Sequence, residues 1–110
     1  MNKLMKSFML GVLLSGVTPA IAFAWDGVIT GKIETIHVTG GGNYGFRVTL
    51  RGSPAACGNA NGWSYLNDTD SNYKVYVAVL LLAKAQQSSV TIYSNKDASG
   101  YCNIGYIYAS

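Results

Sequence analysis

The sequence predicts a small, mainly β domain with five strands and one α-helix. Several stretches are rich in β-branched and aromatic residues and are bounded by Gly, Asn, Ser or Pro, which is the pattern of strands separated by turns. One stretch, residues 70–87, is apolar with helical rather than alternating spacing. The chain has no internal repeat and no low-complexity segment. A single domain with one hydrophobic core is therefore expected.

The N-terminal segment, residues 1–24, is predicted to be a secretory signal peptide and not part of the fold. Lys3 and Lys6 make a basic start, an apolar run follows, and residues 22–24 form a small-x-small cleavage sequence. Cleavage there makes Trp25 the first residue of the mature domain, and a cut after Ala22 is an alternative. The protein is expected to be secreted or periplasmic, and an uncleaved anchor helix is the competing interpretation.

The expected mature domain carries almost no net charge. The chain has eight basic and five acidic residues, and loss of the two lysines in the signal peptide leaves six basic residues, a net charge of +1. A nucleic-acid-binding protein normally has a denser basic face. Together with export, this argues against nucleic acid as a partner.

The two cysteines, Cys57 and Cys102, both lie in the part of the chain that is predicted to be exported. A pair of cysteines in an oxidising compartment most simply forms one disulfide. In the chain-entropy model such a cross-link stabilises the fold by roughly 4 kcal/mol. Two free thiols are the alternative.

The first strand is predicted over residues 27–39, and it contains a bulge. Ile29 and Ile33 share one parity of the strand, whereas Ile36 lies on the other. A slip of one residue indicates a β-bulge near Glu34. Long bulged strands are the means by which small closed barrels turn corners.

Four further strands follow the first. They are predicted at residues 44–51, at 55–66 with a loop in the middle, at 89–94 and at 101–108. In the second strand, Phe46, Val48 and Leu50 alternate with polar residues, which is typical of a strand with one buried face. The same alternation predicts that Val90 and Ile92 face inward in the fourth strand.

The helix is predicted over residues 70–87, with Asp70 or Ser71 as its N-cap. It is apolar nearly all round, whereas a helix on a water-facing domain normally has a charged face. One interpretation is a helix buried in the core of a monomer, and the other is a helix with its second side on a neighbouring subunit. The residues of that second side are Val75, Val79 and Leu82. The apolar run is about half of the ~20 residues that a bilayer requires, so no membrane span is predicted.

The order of these elements is three strands, one helix and two strands. With a long bulged first strand, it describes the OB-fold, a five-stranded, partly open Greek-key barrel. We therefore predict a single OB-fold domain over residues 25–110, mainly β, with one α-helix between strands three and four and one disulfide.

Several short motifs follow one another along most of this domain. They are Trp-Asp-Gly at 25–27, Thr-Gly-Lys-Ile at 30–33, Ala-Cys at 56–57 followed by Trp63, Val-Thr-Ile-Tyr at 90–93 and Ile-Gly-Tyr at 104–106. Their order resembles that of the B subunits of subtilase-cytotoxin and pertussis-like AB5 toxins. The resemblance implies a ring of five OB-fold subunits, with helices lining the centre and pockets for sialylated glycans on the outer face.

The resemblance also implies candidate glycan-binding residues. Thr30 takes the place of a serine hydroxyl that holds the sialic acid carboxylate in the family. A family tyrosine falls on Ser94 here, and the neighbouring Tyr93 could take its role. Asn95 and Lys96, in the predicted loop after the fourth strand, offer hydrogen bonds and a positive charge for an acidic sugar.

The sequence shows no arrangement that points to catalysis or to a metal. His37 is the only histidine, and the acidic residues are scattered over turns, a strand and the helix start, whereas general acid–base catalysis needs a positioned pair. A disulfide would use both thiols, which leaves no set of metal ligands. We expect no enzyme activity and no cofactor.

The functional expectation is an oligomeric, exported binding module for sialylated or related cell-surface glycans. The eight tyrosines favour this, since each offers an apolar ring face with a polar tip. The resemblance leaves a toxin A subunit open as a second partner. The alternative is a monomeric periplasmic protein that binds another protein and has no toxin role.

Overall fold

The fold is known from a computed structural model that describes residues 25–58 and 61–110. The predicted signal peptide lies outside these residues. The described elements are β1 (Gly27–Val38), β2 (Phe46–Leu50), β3 (Ser64–Leu66), α1 (Tyr73–Gln86), β4 (Ser89–Lys96) and β5 (Cys102–Ala109). The described part of the chain is therefore mainly β, with one helix between the third and fourth strands, as predicted.

The five strands form one closed sheet in the order β1-β2-β3-β5-β4. The first half of β1 pairs with β4 and the second half pairs with β2, and both pairings are antiparallel. β1 therefore closes the sheet by joining β4 to β2. The register shifts between Ile33 and Thr35, which confirms the predicted bulge. The bulge bends β1, so one strand can serve two partners.

The shortest strand, β3, differs from its prediction. Residues 55–57 form no strand, and β3 is limited to Ser64–Leu66. β3 pairs with β5 in parallel through two residue pairs, Ser64 with Cys102 and Tyr65 with Asn103. Beyond Asn103, β3 offers no further partner to β5, so that edge of β5 lies open towards α1.

The core lies inside the closed sheet and follows the predicted alternation. Phe46, Val48 and Leu50 of β2 are all buried, as are Val90 and Ile92 of β4. The disulfide between Cys57 and Cys102 is formed and buried, and it joins the segment before β3 to the first residue of β5. The core therefore combines alternating strand residues with one covalent link.

The start of α1 differs from the prediction. The N-cap is Asn72, in the left-handed conformation and without a side-chain hydrogen bond, so the prediction of Asp70 or Ser71 was wrong. The Asp70 carboxylate instead accepts hydrogen bonds from the Asn67 backbone N–H at 2.9 Å and from Asn103 Nδ2 at 3.0 Å. Asp70 stabilises the turn before the helix and ties it to β5.

The two sides of α1 have different surroundings. Leu80 and Ala83 are buried against the sheet. On the opposite side Val75 is 58% exposed and Leu82 57% exposed, and Leu81 is also exposed. We call these three residues the outer side of α1. The helix is therefore not enclosed by the rest of residues 25–58 and 61–110, which leave one apolar side uncovered. In the described residues, no helix has the length and apolarity needed to cross a bilayer.

Candidate functional site

The outer surface of β1, β4 and β5 collects polar and aromatic side chains. Across β1 and β4, Val28 pairs with Tyr93, and Thr30 pairs with Thr91. Since the alternate residues of β4 belong to the core, these side chains point outward. Two tyrosines of β5 continue the surface beyond β4. We call this surface the aromatic face, and it consists of Trp25, Val28, Thr30, Tyr93, Tyr106 and Tyr108.

The rings of the aromatic face are in mutual contact. The centroid of Trp25 lies 5.5 Å from that of Tyr93 in an edge-on arrangement and 6.3 Å from that of Tyr106 in a stacked one. The Tyr93 and Tyr106 centroids are 4.8 Å apart. Tyr106 and Tyr108 remain 48% and 47% exposed. The surface is thus a packed set of rings that still offers open aromatic area to solvent.

A β-bulge in β5 makes room for the Trp25 ring. The register of β4 and β5 shifts between Tyr93 and Ser94, and Gly105 is the extra residue of β5. A Cβ atom at Gly105 would lie 2.5 Å from Trp25 Cζ3, so only glycine leaves space for the ring. The Gly105 carbonyl accepts a hydrogen bond from the Tyr76 hydroxyl of α1 at 2.8 Å. The bulge therefore leaves space for the Trp25 ring and also accepts a hydrogen bond from α1.

The residue after Trp25 is held in place by β4. The Asp26 backbone N–H lies 3.1 Å from the Ser94 carbonyl oxygen and 2.9 Å from Asn95 Oδ1. The Asp26 carboxylate accepts a hydrogen bond from the Lys96 backbone N–H at 2.8 Å. Because these contacts fix Asp26, they also fix the position of the adjacent indole ring.

Two threonine hydroxyl groups lie beside the rings. Thr30 Oγ1 and Thr91 Oγ1 are 2.9 Å apart and share one hydrogen bond. Thr91 is buried, whereas Thr30 is exposed. A hydroxyl has one proton and two lone pairs, so the exposed Thr30 hydroxyl keeps hydrogen-bonding capacity for a ligand.

The structure brings together two of the five predicted glycan-binding residues. Thr30 and Tyr93 lie on the aromatic face, one on β1 and the other diagonally across on β4. Ser94 does not join them, because it points into the interior, is 0% exposed and donates a hydrogen bond to Ser64 Oγ at 3.2 Å. Ser94 is thus a buried structural residue and cannot touch a ligand on this face.

Asn95 and Lys96 lie in β4, not in the loop after it as predicted. Asn95 is exposed, but its Oδ1 atom already accepts the Asp26 N–H. The Lys96 side chain is exposed, and no carboxylate in the described ranges pairs with it. Only Nδ2 of Asn95 and the Lys96 ammonium group remain available at this end of β4.

Trp25, Val28, Tyr106 and Tyr108 are the members of the face that were not predicted as site residues from the sequence. The alternation of Tyr106 and Tyr108 in the last strand was a visible sign that both rings share one face. Their meeting with Trp25 depends on the sheet register and on the bulge at Gly105, which no local pattern reveals.

A groove of about 380 Å³ adjoins the aromatic face. Its walls are α1 and the open edge of β5, and its lining residues are Asn72, Val75, Tyr76, Val79 and residues 106–109. Tyr106 and Tyr108 belong both to this groove and to the aromatic face. One continuous, largely apolar surface therefore runs from the rings across the groove to the outer side of α1.

The described residues contain no candidate metal site, and no known protein matches the chain. Within residues 25–58 and 61–110, no group of three or more His, Cys, Asp or Glu residues is placed to hold a metal ion. In comparisons with protein-family models, curated proteins and solved structures, nothing matches this chain significantly.

Proposed function

We propose that the protein is an exported glycan-binding module, similar to an AB5 toxin B subunit, that works as a homo-oligomer. The observation that carries this proposal is the aromatic face, on which exposed tyrosine rings lie beside the exposed hydroxyl of Thr30, which keeps hydrogen-bonding capacity beyond its bond to Thr91. The fold is consistent with it. The strand order and the helix between β3 and β4 support our assignment of an OB-fold, an architecture that binds oligosaccharides in other proteins.

The chemistry of the face suits a sugar ring. A pyranose has an apolar C–H face that can lie on an aromatic ring, and hydroxyl groups at its rim that need hydrogen bonds. Tyr93, Tyr106 and Tyr108 supply both, because a tyrosine combines a flat apolar ring with a polar tip. The Thr30 hydroxyl can donate to a sialic acid carboxylate, and the Lys96 ammonium group adds a positive charge at the end of β4.

The face is built for binding and not for catalysis. It contains no histidine, cysteine or carboxylate side chain, so no group there is suited to proton transfer near neutral pH. Its aromatic rings are held in mutual contact before any ligand arrives. Pre-organised rings favour binding because less conformational freedom is lost when the sugar docks.

The outer side of α1 supports self-association. Val75 and Leu82 are each more than half exposed, and Val79 lines the adjoining groove. Contiguous exposed apolar surface on a small protein commonly marks an interaction site. We infer that a second copy covers this surface. A ring, with five copies by the resemblance, requires that two different surfaces of each copy meet.

The second candidate function is a monomeric periplasmic protein that binds another protein. The groove between α1 and β5 favours it, since an apolar groove beside an exposed helix can receive a segment of a partner. The two functions differ in the mass of the protein in solution and in sugar binding.

A glycan array tests the proposed function. The exported protein is applied beside Thr30→Ala and Tyr106→Ala, with Thr39→Ala as the matched control, because Thr39 is exposed but directly follows the end of β1 and is not part of the aromatic face. We expect binding to sialylated or related acidic glycans that falls at least tenfold in the first two variants and is unchanged in the control. If no glycan binds, or if all variants bind as the wild type does, the proposal is wrong.

A further inference from the structure

A second group of aromatic side chains shares no residue with the aromatic face. It joins the connection between β1 and β2 to the connection between β4 and β5. We call it the loop cluster, and it consists of Tyr44, Arg47, Trp63, Tyr65 and Tyr101. Tyr44 stands nearly perpendicular to two other rings, with centroids 4.7 Å from Tyr65 and 5.0 Å from Tyr101. The Trp63 and Tyr101 centroids are also 5.0 Å apart.

The backbone of Tyr44 is held in an unusual conformation. Its φ is 52°, in the left-handed region that a residue with a large side chain rarely adopts. Both of its backbone groups are fixed by side chains. The N–H donates to Asn67 Oδ1 at 2.7 Å, and the carbonyl accepts from Arg47 Nε at 2.8 Å. Backbone strain that its surroundings enforce in this way is concentrated at binding sites.

Several polar groups of the loop cluster have no internal partner. Within the described ranges, neither the hydroxyl groups of Tyr44 and Tyr101 nor the indole N–H of Trp63 makes a hydrogen bond, and these three residues are partly exposed. Tyr65 differs, because it is buried and donates to Asp97 Oδ2 at 2.6 Å. Tyr65 is therefore the buried member of the cluster, whereas the other three rings are partly exposed and carry polar groups without a partner in the described ranges.

Arg47 gives the loop cluster a fixed positive charge. Its guanidinium carbon lies 5.0 Å from the centroid of the Trp63 ring. Nε and Nη2 donate to the carbonyl oxygens of Tyr44 and Asn43 at 2.8 and 3.2 Å. No carboxylate in the described part of the chain pairs with it, so the charge is oriented but not neutralised, and Nη1 is left to donate to an anion.

We propose that the loop cluster is a second carbohydrate site, which takes a sugar that carries a carboxylate or sulfate group. The rings of Tyr44, Trp63 and Tyr101 contact the apolar face of the sugar, their polar tips bind its hydroxyl groups, and Arg47 binds the anion. The site does not depend on the aromatic face, because the two share no residue. The cluster contains one arginine, and the domain is nearly neutral, which favours an acidic sugar over a nucleic acid that binds through many phosphate contacts.

The positions of the two tryptophans allow each site to be observed separately. The chain has only two, with Trp25 on the aromatic face and Trp63 in the loop cluster. In Trp25→Phe, fluorescence reports on the loop cluster, and in Trp63→Phe it reports on the aromatic face. The probes are 3′-sialyllactose and a chondroitin sulfate tetrasaccharide, with lactose as the neutral control and a dT8 oligonucleotide as the competing class.

We expect a saturable change of Trp63 fluorescence with at least one acidic probe and none with lactose. In the Trp25→Phe background, Arg47→Gln should weaken this binding at least tenfold, whereas Arg51→Gln, which removes an exposed arginine outside the cluster, should leave it unchanged. Tyr101→Phe, which removes only an unpartnered hydroxyl group, should weaken it about threefold and tests the proposal even if Arg47→Gln does not fold.

Three results would overturn the second site. They are no response of Trp63 to either acidic probe, an equal loss with Arg51→Gln, and tighter binding of dT8 than of the sugars. A response of Trp25 alone, in the Trp63→Phe protein, would overturn the loop cluster but support the function proposed for the aromatic face. A response of Trp63 alone would support the loop cluster and overturn the function proposed for the aromatic face.

Discussion

The indole ring of Trp25 lies against the backbone of Gly105, although the two residues are 80 positions apart in the sequence. Gly105 is the extra residue in the bulge of β5, and a Cβ atom there would meet the ring at 2.5 Å. The same ring contacts Tyr93 and Tyr106. The geometry of the aromatic face therefore depends on the absence of a side chain at one position.

Gly105→Ala should displace the Trp25 ring. Because the indole must move or the bulge must open, we expect a loss of about 1–3 kcal/mol in the free energy of unfolding, as for other overpacked sites. Urea denaturation measures it, and the fluorescence of Trp25 in a Trp63→Phe background reports the displaced ring. Gly42→Ala is the control, since a Cβ atom there meets nothing within 4 Å. Equal stability of the two variants would contradict the packing described here.

The disulfide between Cys57 and Cys102 should account for a large part of the stability. It links residues 45 positions apart, and both sulfur atoms are buried. We expect the Cys57→Ser, Cys102→Ser double variant to lose about 4 kcal/mol, because the unfolded chain regains the freedom that the cross-link removes. Guanidinium denaturation of the oxidised wild type and the double variant measures the difference. A loss below about 1 kcal/mol would show that the cross-link contributes little.

Removal of the Ser94 hydroxyl group should change stability and leave ligand binding unchanged. Ser94 and Ser64 are both fully buried and hydrogen-bonded to each other. Ser94→Ala leaves the Ser64 hydroxyl without a partner, which should cost about 1–3 kcal/mol. Combining it with Ser64→Ala should cost less than the sum of the two single changes, because no unpaired group then remains. Strictly additive losses would rule out this pair, and a selective loss of glycan binding in Ser94→Ala would contradict its interior position.

The outer side of α1 should control the oligomeric state. Val75→Glu and Leu82→Glu place charges on a surface that we propose a second copy covers, so each should shift the protein towards monomer in light scattering. Val38→Glu is the matched control, because Val38 is 72% exposed and lies at the end of β1, outside α1 and its groove. A wild-type protein that is already monomeric would favour the alternative function, a monomer that binds another protein.

The carboxylate of Asp97 should contribute to stability at neutral pH and lose this contribution in acid. Burial alone would raise its pKa, but hydrogen bonds from the Tyr65 hydroxyl and from the N–H groups of Tyr101, Ser99 and Gly100 outweigh that effect and lower it. In the unfolded chain the pKa of this carboxyl returns to its ordinary value of 3.8. The contribution is therefore complete above that value and disappears as the pH falls through the lower pKa of the folded state.

Thermal unfolding measured from about pH 6 down to about pH 2 tests this assignment. Asp97→Asn should lower the melting temperature at neutral pH, and its melting temperature should fall less steeply with acid than that of the wild type. Asp68→Asn is the control, because Asp68 is exposed and its carboxylate accepts no hydrogen bond within the described ranges. Identical pH profiles for Asp97→Asn and the wild type would refute the role given to the carboxylate.

Alternation along single strands was enough to predict much of the fold. The parity of apolar residues within each strand predicted the inward residues of β2 and the bulge of β1. It also predicted the inward positions of Val90 and Ile92 in β4. The same parity, continued two residues beyond Ile92, falls on Ser94, which is buried in the structure. Its assignment to a glycan pocket came from the family resemblance and conflicted with the strand pattern.

The pairing of distant segments could not be read from local patterns. β4 extends through Lys96, where the Lys96 backbone N–H bonds to the carboxylate of Asp26, 70 positions away. The left-handed Tyr44 and its fixed ring likewise depend on Asn67 and Arg47. The loop cluster was missed for this reason, since its residues come from three connections and from β2 and β3.

Hydrophobic periodicity along the chain is a local property, and it sufficed for the element types, the inward-facing residues and the apolar character of α1. Which side of α1 meets the core, and which rings meet Trp25, depended on the closure of the sheet. Closure of the sheet is set by contacts between residues far apart in sequence. Because the helix is apolar on both sides, its local sequence does not indicate which side the sheet will cover.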